Sequence, residues 1–283
     1  MKVAFVTDSG TGKNIDEWEE EGIFSLPLQI EVEHDSFEEG ETILISDVVR
    51  NLHNQKSMKT SLPKLGLIED VFENIKNQGY DLIFAIPICQ GLSSTFMTME
   101  MAAHTVGIDF MGVDCYSTAV LQADMIRTAK KLYEEGIEIH QVQEKVQKMA
   151  DSAHTLLLCD DLQHMKRGGR LTPMAAALGG LLKIKPILYL NRSTSGRVDV
   201  LDKVRTMKKA QNQVIEYLLE KQVTKEYTIV LAHVDALKEA KEYAMRIEEK
   251  IEGCHVQIID LVSAVSIHTG LGCLAVQVFD PRV

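Results

Sequence analysis

Where an apolar strand hands over to a helix, the chain reads Gly91-Leu92-Ser93-Ser94-Thr95, three hydroxyls in succession. Three chemistries fit that placement. Ser93 has the position of a nucleophile elbow, with His268 available as a base. The elbow motif asks for a second glycine where Thr95 stands, and no carboxylate is identifiable to orient the histidine. Ser94 is equally placed to cap the helix. Ser93, Ser94 and Thr95, with the first backbone N–H groups, also form a nest of donors for a carboxylate or phosphate. Cap, anion nest and nucleophile all stay open on chemistry alone.

Other motifs fail. Gly10-Thr11-Gly12-Lys13-Asn14 follows the first strand, but a phosphate loop would need glycine at Thr7 and a hydroxyl at Asn14. Gly270-Leu271-Gly272-Cys273-Leu274-Ala275 matches a dinucleotide fingerprint on paper, yet a strand-like run follows it where a helix is required. No H-E-x-x-H occurs and the nine histidines lack ligand spacing, so no metal site is expected. Cys89, Cys115, Cys159, Cys254 and Cys273 are scattered and odd in number, the pattern of reduced thiols in a cytoplasmic protein.

The groups that remain must be positioned by a fold. The 283 residues carry 30 Lys and Arg against 41 Asp and Glu, a formal charge of -11, which argues against nucleic acid as a partner. No apolar run is long enough for a transmembrane segment, and the start lacks a secretory signal. Strand-like runs at 3–7, 81–88 and 110–113 alternate with helical spacing at 46–55, 65–78, 94–105, 120–133 and 140–153. Strands separated by helices imply crossover units and a parallel sheet. Beyond 153 the rhythm changes. A strand at 155–159 precedes helices at 162–166 and 175–182, and 187–190 with 198–204 suggest a hairpin. Alternation then resumes with helices at 206–222 and 238–252 and strands at 227–234, 255–261 and 274–279. We expect an α/β fold of two domains, 1–153 and 154–283.

Seven stretches in order resemble one family. They are Phe5-Val6-Thr7-Asp8-Ser9, Lys59-Thr60-Ser61-Leu62-Pro63, Gly91-Leu92-Ser93-Ser94-Thr95, Met165-Lys166-Arg167-Gly168-Gly169-Arg170-Leu171, Ile184-Lys185-Pro186-Ile187-Leu188, Gly196 with Val204-Arg205-Thr206-Met207-Lys208-Lys209-Ala210, and His268-Thr269-Gly270-Leu271-Gly272. In this spacing the whole chain resembles the DegV family, which includes the fatty-acid-binding subunits of bacterial fatty acid kinase.

That resemblance implies a two-domain DegV-like fold, mainly parallel sheets flanked by helices, with a lipid tunnel near the domain interface. The ligand would be one long-chain fatty acid, palmitate-like or unsaturated, with no further cofactor. The chain would not itself be an enzyme. It would present the carboxylate to a separate ATP-dependent kinase subunit for acyl-phosphate formation, serving phospholipid synthesis. Thr60 and Ser93, with Ser61 and Ser94 beside them, would bind the carboxylate, and Arg170 and His268 would shape the field around it. Arg205, with Lys203, would dock the kinase subunit. On the helix at 94–105, Phe96, Met97 and Met101 are flexible side chains suited to line an acyl tunnel, or equally to fill a core. Asp8 and Ser9 fit either a turn or the floor of the site. Ser94 stands where the family usually has Gly, Cys115 where it usually has Ser, and Cys89-Gln90 replaces a Ser-Ser pair. Ser94 is expected to add bulk at the head group. A serine hydrolase using Ser93, and a lipid sensor or shuttle without a kinase partner, are the alternatives.

Overall fold

The computed structural model describes residues 1–178 and 184–282. Its first sheet grows from VAFVTD, a run buried along its whole length, as a central parallel strand covered on both faces must be. This strand, β1 (Val3–Asp8), pairs in parallel with β2 (Phe24–Leu26) on one side and β6 (Leu82–Ala85) on the other, and β7 (Asp109–Gly112) completes the sheet. Strand alternation sorts the side chains. Ala4 and Val6 face a core with α3 (Leu65–Asn77) and α4 (Thr95–Val106), whereas Val3 and Phe5 face α5 (Ala119–Glu134) and α6 (Ile139–Ser152). Three of its strands and its helices match the parallel unit read from the sequence; β2 was not anticipated.

Between 14 and 61 lie elements that the sequence pattern did not reveal. These are a short helix α1 (Ile15–Glu19) and an antiparallel sheet of β4 (Asp35–Glu38), β3 (Gln29–Val32) and β5 (Met58–Ser61). With α2 (Ile45–His53), that sheet packs Ile30 and Val48 against Ile267 of a further unforeseen helix, α11 (Ser263–Thr269).

The second sheet has six strands in the order β10-β9-β8-β13-β11-β12. Their spans are β8 (His154–Leu158), β9 (Lys185–Leu190), β10 (Asp199–Val204), β11 (Thr228–His233), β12 (Val256–Asp260) and β13 (Leu274–Phe279). The expected hairpin is β9–β10, with a bulge between Val200 and Asp202. Only β11 and β12 pair in parallel; β13 returns antiparallel between β8 and β11, so this sheet is mixed. Helices α9 (Met207–Glu220) and α10 (Leu237–Lys250) cover one face through Leu156, Leu231, Val276 and Tyr243. Two short helices, α7 (Leu162–Arg167) and α8 (Pro173–Ala177), follow β8; the part of the expected helix at 175–182 beyond 178 lies outside the described residues. Among the described residues no helix is long and apolar enough to cross a membrane.

Candidate functional site

The segments leaving the carboxyl ends of β2, β6 and β7 face the uncovered side of the second sheet, at the end where open parallel sheets bind ligands. Between them lies a narrow cavity with about 940 Å³ of empty space, counted to its open mouth. Strand register tiles its floor in rows. Leu157, Ala275, Ala232 and Ile259 stand opposite one another on β8, β13, β11 and β12. The next row, about 7 Å along the strands, holds Leu190, Thr155, Gln277 and Val230. Leu28, Ile88, Leu92 and Ala264 close the other side. The walls are mostly apolar, as a site for an alkyl chain requires.

Polar groups gather at one end. Thr60 on β5, Ser61, Ser93, Arg170 and His268 at the end of α11 all line it. His268 Nε2 lies 2.6 Å from Thr60 Oγ1. Burial, with the charges of Arg170 and His164, pushes His268 down to about 3, so its ring is neutral at any ordinary pH. With the proton on Nε2, His268 donates to Thr60, and the threonine's own proton is left for a ligand. Ser93 Oγ is 2.8 Å from Thr95 Oγ1 and accepts from the Thr95 backbone N–H at 3.3 Å. Thr95 is fully buried, and with Thr95 as the donor of this pair the Ser93 proton is left for the cavity. Arg170 is half-buried. It donates through Nη1 to the Gly168 carbonyl at 2.6 Å and through Nε to the Leu92 carbonyl at 3.3 Å, and has no carboxylate partner among the described residues. Burial lowers its pKa, the sign of a cation short of a counter-charge.

Two glycines hold this end together by close approach. A Cβ on Gly91 would sit 2.1 Å from the Gly196 carbonyl carbon, so the Ser93 loop lies directly on the loop after β9. A Cβ on Gly168 would sit 2.6 Å from His268 Nδ1.

Behind the cavity a second polar cluster is closed upon itself. Asp8 Oδ1 accepts from Gly10 N and Gln122 Nε2 at 2.9 and 2.8 Å, and Oδ2 accepts from Ile88 N at 2.9 Å. Glu39 accepts from Ser9 Oγ and from Ala264 N, both at 2.6 Å, which pins α11 to the first half of the chain. Burial raises Asp8 to about 6 and Glu39 to about 7.

The sequence-predicted residues separate into three groups. Thr60, Ser61, Ser93, Arg170 and His268 meet at the cavity; His268 does so from a helix, not from the loop its Thr-Gly sequel suggested. Ser94 does not: it is exposed, caps α4 with no side-chain hydrogen bond, and lies outside the cavity lining, so the bulk expected of it is not there. Phe96, Met97 and Met101 do not line the cavity either. Met97 and Met101, four apart on α4, share its outer face at 57% and 53% exposure, while Phe96 packs edge-on against Phe110. Met99 is the methionine that turns inward, into the core beneath the sheet. Lys203 and Arg205 lie exposed at the end of edge strand β10, apart from the cavity lining. The elbow arrangement is not formed, since Ser93 is bonded to Thr95 and His268 to Thr60. Thr155 and Gln277 were not anticipated as lining residues; a polar side chain inside an otherwise apolar buried strand was their signal.

Comparison with known proteins matches residues 2–280 to a family described as "Uncharacterised protein, DegV family". A fatty-acid-binding DegV family protein from Streptococcus agalactiae superposes with a TM-score of 0.89 at 25% identity, covering 99% of each chain. DegV, a fatty acid binding protein from Bacillus subtilis, does so with a TM-score of 0.85 at 25% identity, again over 99% of each. A DegV domain-containing protein of Listeria monocytogenes is 30% identical over 278 residues, 96% of both chains.

Proposed function

This chain belongs to the DegV family, and from that premise we propose that it holds one long-chain fatty acid in the cavity and presents its carboxylate to a separate ATP-using kinase subunit. Two relatives of the same fold are fatty-acid-binding proteins. The observation that carries the reading is Arg170, a half-buried guanidinium without an acidic partner among the described residues, beside the hydroxyls of Thr60 and Ser93 at one end of an apolar cavity. A carboxylate supplies the missing counter-charge, and charge-assisted hydrogen bonds from the hydroxyls offset its desolvation. Burying each methylene is worth ~0.8 kcal/mol, so a chain of about fifteen offers roughly 12 kcal/mol before the costs of association. Hydroxyl donors suit a carrier, because the carboxylate oxygen stays available to accept a phosphoryl group. An adjoining groove that shares Thr60, Arg170 and His268 with the cavity carries Lys56, Lys59 and Arg167 against one acid, Asp161, in an otherwise acidic protein. In this reading the ATP chemistry belongs to the partner, docked at Arg205 and Lys203, and the two domains 1–153 and 154–283 enclose the lipid between them.

The test compares palmitic acid with hexadecanol, which keeps the alkyl chain and lacks the carboxylate. The acid is expected to stay bound through gel filtration and the alcohol to be lost. Equal retention of both would remove the head-group assignment.

A further inference from the structure

Deep in the cavity, on the row beyond Ala275, the walls stop being apolar. Ser117, Thr155 and Gln277 all line the space there, and all three are buried. Ser117 Oγ and Thr155 Oγ1 are 2.8 Å apart. Gln277 Nε2 donates to the Thr118 carbonyl at 3.0 Å and is shared between the two hydroxyls at 2.9 and 3.3 Å, while the Leu121 N–H donates to its Oε1 at 3.0 Å.

Counting protons exposes an imbalance. Both amide protons of the glutamine are committed, its carbonyl oxygen reaches neither hydroxyl, and both hydroxyl oxygens receive from its nitrogen. Only one hydroxyl proton can lie between Ser117 and Thr155. The other has no acceptor among the described residues. A buried donor without a partner costs more than a made hydrogen bond contributes, so such a group favours a ligand that brings an acceptor to it.

We propose that the Ser117–Thr155 pair is a specificity element that selects acyl chains carrying an oxygen acceptor, a keto or hydroxyl group, in their distal half. This rests on the fatty-acid reading above and adds to it the class of chain preferred. The pair sits at the opposite end of the strands from the segment 268–273 that brings in His268, so it meets the chain and not the carboxylate. A plain alkyl chain leaves the proton unmatched. A keto oxygen at the right depth takes it without adding a donor of its own, and a hydroxyl oxygen can return its proton to the pair.

The experiment is displacement of a fluorescent fatty acid by stearic acid and by stearic acids bearing one keto oxygen at successive carbons. At one position the keto acid is expected to bind about threefold to tenfold tighter than stearic acid, the value of one matched hydrogen bond. That advantage should vanish in the double variant Thr155→Val, Ser117→Ala, which removes both hydroxyl protons, and persist in Thr155→Ser, which keeps both hydroxyls. Keto acids that are all weaker than stearic acid on the wild-type protein would overturn the proposal, as would an advantage that survives the double variant. The wild-type series decides alone if a variant does not fold. Failure to bind stearic acid itself would instead overturn the fatty-acid reading.

Discussion

The protein buries two sets of polar groups on opposite sides of the same cavity wall, and they are finished differently. Around Asp8 and Glu39 the carboxylate oxygens meet N–H or hydroxyl donors, from Gly10, Ile88, Gln122, Ser9 and Ala264. Around Thr60, Ser93 and Arg170 the donors outnumber the acceptors, and a cation lacks its counter-charge among the described residues. Burial alone does not distinguish a site from mortar. A cluster satisfied within the chain fixes two segments together, whereas one with leftover donors is waiting for an anion.

That contrast can be broken in order of size. Thr60→Ala combined with Ser93→Ala removes two charge-assisted donors worth about 1.5–3 kcal/mol each, so fatty-acid retention should fall by roughly two orders of magnitude or more while thermal melting is unchanged. Unchanged retention in a competition assay would strip both residues of their role. Gly91→Ala drives a Cβ into the Gly196 backbone and should lower stability by about 1–3 kcal/mol, read as an earlier urea midpoint. A midpoint equal to wild type would mean the two loops need not abut.

The closed cluster should answer to pH instead of to lipid. Asp8 and Glu39 hold protons more tightly folded than unfolded, so their contribution is full below about pH 4 and is lost as pH rises through about 7. His268 and His154, held down at about 3 and about 4 by burial, act oppositely and cost stability as pH falls below about 6.5. Glu39→Gln removes one member of the first set only. Its melting temperature relative to wild type should therefore rise between about pH 5 and about pH 8, and a constant difference would show that Glu39 does not titrate with folding. Smallest in stability is Arg205→Ala at the exposed end of β10, expected within about 0.5 kcal/mol of wild type and with normal lipid retention. Its effect should appear only as slower kinase-dependent acyl-phosphate formation, and a normal rate would end its docking role.

The parallel unit was legible because its strands are continuous apolar runs and its helices are amphipathic, as in VAFVTD and the Ile68, Phe72, Ile75 stripe. The edge sheet β4-β3-β5 was not, since β4 and β5 are short, half exposed and polar, with patterns such as MKTS that carry no period. Helix α11 escaped because seven residues give barely two turns, and its small residues are set by contact with β5 and α2. The five residues at the polar end of the cavity were legible only as motifs in series; nothing local says that β5 brings Thr60 beside His268, 208 positions away. Met97 and Met101 misled for a plain reason. A helix displays the same residues whichever face it turns inward, and packing against the sheet chose Met99 with Ala102 and Ala103.

The most direct measurement is mass spectrometry of the purified protein, first native and then denatured. The account predicts a mass excess equal to one long-chain fatty acid per chain, released on denaturation and absent from the Thr60→Ala, Ser93→Ala double variant. An empty wild-type protein that also refuses added palmitic acid would contradict it.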